Sequence, residues 1–199
     1  MVEEQEMELE SMKDVTNPEE EMLSYEIKIP EERVAVLVGT NGKTKVKIET
    51  ETGTKLNISK DGDVDITGAD ALKLYSTREI IRAIGRGFNP NVALELLKTD
   101  YVLEIISLKD IAGKSQKTME RMKGRIIGRA GKSRAKIEEA TNTYLSVYGK
   151  TVSIIGDVEG VGLCHQAVEM LLRGSMHKTV FTFLDKKKKE VMFGQEIPQ

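Results

Sequence analysis

Apolar and polar positions along the chain switch between two periods, and the switches mark elements. Tyr25, Ile27 and Ile29 alternate with Glu26 and Lys28, which predicts a short strand. Pro30 stops that strand and opens a helix through Val34-Ala35-Val36-Leu37. The turn Gly39-Thr40-Asn41-Gly42 ends it, and a second helix is predicted over roughly 43–52. The period then returns to two. Leu56 and Ile58, then Val64 and Ile66, alternate with polar residues around an Asp61-Gly62 hairpin signal. A helix follows from Ala69 to Ile84, with Leu72, Ile80 and Ile84 on one side, closed by Gly85-Arg86-Gly87. The order is β-α-α-β-β-α.

A short helix from Pro90 to Leu97, capped by Asn89, bridges to a second unit of the same order. A strand is predicted near 101–108 and then one long basic helix ending at Gly128-Arg129-Ala130-Gly131. A helix over 132–141 follows, then strands at 143–148 and 151–155 joined by Gly149-Lys150. A last helix at 157–172 carries Val161, Cys164, Val168 and Leu171 on one face. Sliding 39–58 onto 128–147 makes nine of twenty positions identical. They are Gly39/Gly128, Gly42/Gly131, Lys43/Lys132, Lys47/Lys136, Ile48/Ile137, Glu49/Glu138, Thr52/Thr141, Thr54/Thr143 and Leu56/Leu145. Average composition predicts about one or two such matches. The chain is a tandem duplication.

Charge changes meaning once the repeat is known. The 199 residues have a formal net charge of −2, which argues against a nucleic-acid binder. Residues 1–22, however, hold nine acids and one lysine, net −8, so the remainder is +6. Low hydrophobicity and high charge predict a disordered or loosely helical arm there, read as a solubilising tail, with nucleic-acid mimicry or a basic partner as alternatives. Between Lys114 and Lys136 lie nine basic residues and one acid, net +8 in twenty-three residues. No apolar run reaches the ~20 residues of a membrane helix, and no signal peptide is legible. One cysteine excludes an internal disulfide framework and suits a reducing cytosol, so a cytoplasmic location is expected. With two histidines, no zinc-ligand spacing and no Walker A motif, neither catalysis nor a metal or cofactor is expected. Only 5% of residues are aromatic and Trp is absent, which argues against RNA binding by broad aromatic stacking.

Two Gly-x-x-Gly turns stand at equivalent places, each joining one helix to the next with two strands and a helix following. In both halves this resembles the KH domain in its type I order. The resemblance implies an α+β fold of two tandem type I KH domains, each a three-stranded sheet packed on three helices. It also implies a loop that clamps about four single-stranded nucleotides. Glycines admit close approach of a phosphodiester, and the next helix offers N–H groups and a positive dipole end. The expected RNA-binding residues are Gly39, Thr40, Asn41, Gly42, Lys43, Lys47 and Ile48 in the first unit. In the second they are Arg125, Gly128, Arg129, Ala130, Gly131, Lys132, Arg134, Lys136 and Ile137. Ile48 and Ile137 match positions resembling the apolar groove floor of KH domains, although their setting suits a core equally. Lys43, Lys45 and Lys47 suit a solvated helix face equally, and Glu49 and Glu51 dilute the first site, so the second is expected to be the main one.

The two-domain layout, the joining segment Ile84–Pro90 and the stretch Gly174-Ser175-Met176-His177-Lys178-Thr179-Val180-Phe181 resemble the archaeal relatives of the partner-of-Nob ribosome-assembly factors. That resemblance implies binding of single-stranded small-subunit ribosomal RNA near its 3′ end. As partners it implies the endonuclease that trims that end and the alpha subunit of initiation factor two. A protein-interaction module of the initiation machinery and an exosome-type RNA-processing adaptor are the alternatives. The expected layout is an acidic arm at 1–22, KH domains at 23–87 and 101–180, a linker helix at 88–100, and a tail at 181–199. Lys186–Lys189 in that tail read as a solvated helix end, or as a further RNA contact.

Overall fold

The structure is a computed structural model that describes residues 22–113 and 115–194. The acidic arm, apart from Met22, lies outside the described residues. The first unit runs β1 (Leu23–Lys28), α1 (Glu31–Val38), α2 (Lys43–Thr52), β2 (Lys55–Ile58), β3 (Asp63–Gly68) and α3 (Ala71–Gly85). Its sheet has the order β1-β3-β2, both pairings antiparallel. The period-2 alternation puts Leu56, Val64 and Ile66 inward, where they meet Leu37, Ile48, Ile80 and Ile84 from the helices. Asp63, Asp65 and Thr67 point the other way, Asp63 pairing with Lys28 at 2.9 Å. Asp70 caps α3 by accepting from the Leu72 and Lys73 amides. The inward side of α3 is Leu74, Thr77, Ile80, Ile81 and Ile84; Leu72 stands 73% exposed, contrary to expectation.

A single turn, α4 (Pro90–Ala93), and a 3-10 turn (Leu94–Leu97) lead to the second unit. It comprises β4 (Tyr101–Ser107), α5 (Leu108–Ala112), α6 (Gln116–Ile127), α7 (Lys132–Thr141), β5 (Tyr144–Tyr148), β6 (Thr151–Asp157) and α8 (Val158–Leu172). Then comes α9 (His177–Gly194). The sheet order β4-β6-β5 repeats the first. The long basic helix expected before residue 128 is two helices. Gly113 breaks it at φ 59°, ψ −135°, a conformation that L side chains avoid, and Ser115 caps α6 by accepting from the Thr118 amide.

Several identities between the repeats have structural causes. Glu49 Oε1 accepts from the Leu56 amide at 2.8 Å, and Glu138 Oε1 from the Leu145 amide at 2.7 Å, tying the second helix to the edge strand. Thr52 and Thr54 share a buried hydroxyl contact of 2.8 Å, as do Thr141 and Thr143.

The units differ in what covers their sheets. In β6 the residues Thr151 to Gly156 are all buried, whereas in β3 the alternation is open to solvent on one side. Val152 and Ile154 face α8 and its neighbours, while Ile155 is fully buried in the core of the first unit, beside Phe88, Ala93 and Leu96. Residues 88–100, expected as a linker helix, thus contribute side chains to the seam. Gly87 (φ 96°) lies against β5 so closely that a Cβ would come 2.8 Å from Ser146 Oγ and 2.9 Å from Tyr148 Cβ. Ser146 Oγ donates to the Arg86 carbonyl at 2.8 Å, and the Tyr148 hydroxyl donates to Glu32. The segment expected as a tail from 181 is the body of α9, and its Val180 and Leu184 are fully buried in the second core.

Ile155→Ala is expected to lower stability by about 2–5 kcal/mol in chemical denaturation. Thr67→Ala, at the corresponding place on the open face of the first sheet, should cost under about 1 kcal/mol. Equal losses at the two positions would contradict the double burial of the second sheet.

Candidate nucleic-acid interface

The two Gly-x-x-Gly loops have the same backbone. Gly39 sits at φ 73°, ψ 173°, Asn41 at 55°, 31° and Gly42 at 75°, 7°. Gly128 sits at 72°, 179°, Ala130 at 51°, 33° and Gly131 at 75°, 5°. The first glycine of each loop is needed for space: a Cβ on Gly39 would stand 2.2 Å from Thr44 Oγ1, and one on Gly128 2.5 Å from Ser133 Cβ. The second glycine of each has nothing within 4 Å of that position, so the loop backbone is open outward, where a phosphodiester could lie against it. Thr40, Asn41, Arg129 and Ala130 are exposed at the loop tips, and each loop leads into the N-terminal end of a ten-residue helix.

The expected site residues separate into three groups. Lys43, Arg129 and Lys132 are exposed beside the loops and have no acidic partner among the described residues. Among the described residues Lys47 meets only Asn91 Oδ1, at 3.3 Å, and the Lys136 ammonium lies 4.4 Å from the centroid of the Phe181 ring. These five are available to phosphate. Arg134 is held by Glu138 at 3.1 Å, and nearby Lys123 by Glu120 at 3.0 Å. Ile48 and Ile137 form the third group. Both are fully buried, so they underlie the groove as core and present no surface to a base.

Arg125 is turned inward. Its Nε donates to the Leu171 carbonyl at 3.0 Å and its Nη2 to the Ser175 carbonyl at 2.5 Å. Arg33 makes the same pair of bonds in the first unit, to Ile84 and Phe88 at 2.7 Å each. In each unit one arginine straps the helix before the loop to the end of the last helix. Only the second unit adds a return bond, from His177 Nε2 to the Arg125 carbonyl at 2.8 Å. The groove wall residues that sequence reasoning passed over are Glu49 and Glu138. Their identity across the repeat was visible, but Glu49 read as diluting charge and neither read as a clamp between helix and strand.

Cys164 lies at the position of Thr77 in the duplicated helix, and burial pushes its thiol up to about 11. It is a core residue rather than a reactive one. Among the described residues no group of three or more His, Cys, Asp or Glu could hold a metal ion, and no helix is long and apolar enough to cross a membrane.

Two antiparallel three-stranded sheets, each backed by helices and each with a Gly-x-x-Gly loop between its first two long helices, define a tandem type I KH protein. A family model described as "Eukaryotic type KH-domain (KH-domain type I)" matches residues 102–189, and the "KH domain" model matches 24–86. A KH domain-containing protein of Methanocaldococcus jannaschii is 47% identical over 169 residues, 83% of this chain and 74% of that protein. Pre-rRNA-processing protein PNO1 of Chaetomium thermophilum is 29% identical over 108 residues, 53% of this chain and 42% of that protein. The chain thus spans less than half of PNO1. Dim2p from Pyrococcus horikoshii superposes with a TM-score of 0.77 at 43% identity, covering 82% of this chain and 99% of that one. A chain in the a/eIF2alpha-aDim2p-rRNA complex from the same organism gives 0.79 at 43% identity, covering 85% and 96%. The chain belongs to this family of tandem KH proteins, homologous to PNO1 and Dim2p.

Arg125→Ala leaves two carbonyls without their donor. It should cost about 1–3 kcal/mol and raise amide hydrogen exchange at 128–132 well before global unfolding. Unchanged exchange in that loop would rule out the strap. Cys164 should resist a thiol reagent such as Ellman's reagent at pH 8, where about one thiol in a thousand is ionised, and react at once in denaturant.

Proposed function

We propose that the chain is an RNA-binding ribosome-assembly factor whose second Gly-x-x-Gly loop grips single-stranded small-subunit ribosomal RNA near its 3′ end. The observation that carries this reading is the open loop at 128–131, with Arg129 and Lys132 exposed beside it and without acidic partners among the described residues. The names of its relatives support the biological setting, one a pre-rRNA-processing protein and one crystallised with rRNA. The loop clamps the sugar–phosphate backbone, and the groove between α7 and β5 receives the bases. The first loop has the same backbone but a lower local charge, and serves as a weaker second grip. A chain that folds over rRNA without cleaving it aids maturation by holding the substrate for a separate enzyme. The trimming endonuclease as that partner rests on the family resemblance.

A second reading, docking to the alpha subunit of initiation factor two, is favoured by the presence of a/eIF2alpha in the P. horikoshii complex. The two readings are compatible if RNA and protein occupy different faces.

The test is the double variant Arg129→Asp/Ala130→Asp. Both positions are exposed, and Asp tolerates the left-handed conformation at 130, so the fold should survive. Affinity for a single-stranded 3′-terminal rRNA oligonucleotide should fall at least tenfold. For the unmodified chain, about three phosphate contacts predict a slope near −2 in log K against log salt. Undiminished binding by the double variant would sink the site, and retained binding to the initiation-factor subunit alone would favour the second reading.

A further inference from the structure

Two cations of the basic stretch stand apart from the loop. Lys117 and Arg121 lie on α6, exposed and without an acidic partner among the described residues. The single acid of that helix, Glu120, accepts from Gln116 Nε2 and from Lys123 Nζ at 3.0 Å each, so it leaves both cations free. Lys117, Arg121, Gly124 and Gly128 follow one another at spacings of four, three and four residues. That spacing keeps them on one face of the helix, opposite the buried Met119, Met122 and Ile126. The face runs for about 16 Å along the helix axis and ends at the loop, where Arg129 and Lys132 are exposed.

Gly124 has no structural reason to be glycine. Its backbone is ordinary helix, it is exposed, and a Cβ there would meet nothing within 4 Å. Glycine is the poorest helix former after proline, so an exposed one in mid-helix lowers stability with no packing gained. What it does provide is a stretch of bare helix backbone between Arg121 and the loop, which a chain passing over the surface can approach closely. The first unit has no counterpart. Its helix before the loop, α1, is eight residues long against twelve in α6. When Gly39 is set on Gly128, Glu32 and Ala35 fall where Arg121 and Gly124 stand, and Glu32 is bonded to the Tyr148 hydroxyl.

We propose that the RNA strand gripped by the second loop continues along this outer face of α6, with its phosphates on Arg121 and then Lys117 and its sugar–phosphate backbone against the helix at Gly124. The inference rests on the RNA reading given above and extends it to nucleotides outside both the clamp and the base groove. A polyanion is the occupant that the chemistry favours. The four positions offer two unpaired cations and bare backbone, and none carries the apolar or aromatic anchor on which a protein interface centres. Contacts of this kind reach phosphate only, so they add affinity and salt dependence without sequence preference. The second unit therefore holds a longer strand than the first.

Two single-stranded oligonucleotides from the 3′ region of small-subunit rRNA, titrated into the full chain, test this. One has about four nucleotides, the length the loop clamps, and the other about ten, extending the same four on both sides. Lys117→Gln/Arg121→Gln keeps good helix formers on α6. It should weaken the longer oligonucleotide about tenfold, leave the shorter within about twofold, and flatten the salt slope of the longer by about 1.4. Gly124→Gln should raise the thermal midpoint by about 2–4 °C and still weaken the longer oligonucleotide about fivefold, a loss that unfolding cannot explain. Normal binding of the longer oligonucleotide by Gly124→Gln would overturn the close approach to the helix. Equal losses on both oligonucleotides in the double glutamine variant would indicate a general field effect and overturn the path. If that variant binds both normally while Arg129→Asp/Ala130→Asp does not, the path is wrong and the RNA reading stands. If neither double variant changes affinity, both fail.

Discussion

The burial of β6 on both faces is the constraint on which the rest of the molecule depends. A three-stranded sheet with helices on one side normally leaves its other side wet, as the first unit does with Asp63, Asp65 and Thr67. The second unit has Thr151, Ser153 and Ile155 in the corresponding places, and all three are buried. Apolar area on that face has to be covered, and the first unit covers it. Ile155 then belongs to the neighbouring core, Gly87 must lack a side chain, and Tyr148 reaches Glu32. The two Gly-x-x-Gly loops are therefore parts of one docked body rather than beads on a linker. One cost is visible: Ser153 Oγ is buried without a hydrogen-bond partner, and nothing in the structure explains it.

Duplication has preserved devices more faithfully than residues. The first glycine of each loop, the Glu49 and Glu138 clamps and the paired threonines recur at matching positions. The arginine straps do not. Arg33 lies six residues before its loop glycine and Arg125 three before its own, yet each reaches the last helix of its unit through two carbonyl bonds. A helical turn allows this, since positions three apart share a face. The strap therefore survives a change of register that a position-by-position comparison hides.

The same geometry reduces a broad basic stripe to a few groups. Of the nine cations between 114 and 136, Arg125 is spent on carbonyls, and Lys123 and Arg134 are paired with glutamates. What remains near the second loop is Arg129 and Lys132, with Lys136 stacked on Phe181 of α9. Net charge along the chain marks a basic surface region, because like charges separated by a few residues remain near one another in any helix. It could not say which of them were free, because their partners are fixed by packing.

The sequence by itself determined the local order: alternation for strands, helical spacing for helices, glycines where the backbone needs left-handed or crowded conformations, and the repeat that makes two loops equivalent. These are short-range constraints, set by backbone sterics and by neighbours within a few residues. Tertiary structure alone decided that Ile48 and Ile137 are core and that residues 177–184 complete the second core. It also decided that Arg125 points inward. Each of these depends on elements distant in the chain competing for the same apolar surface or the same unpaired carbonyl, and no local pattern records the outcome of that competition.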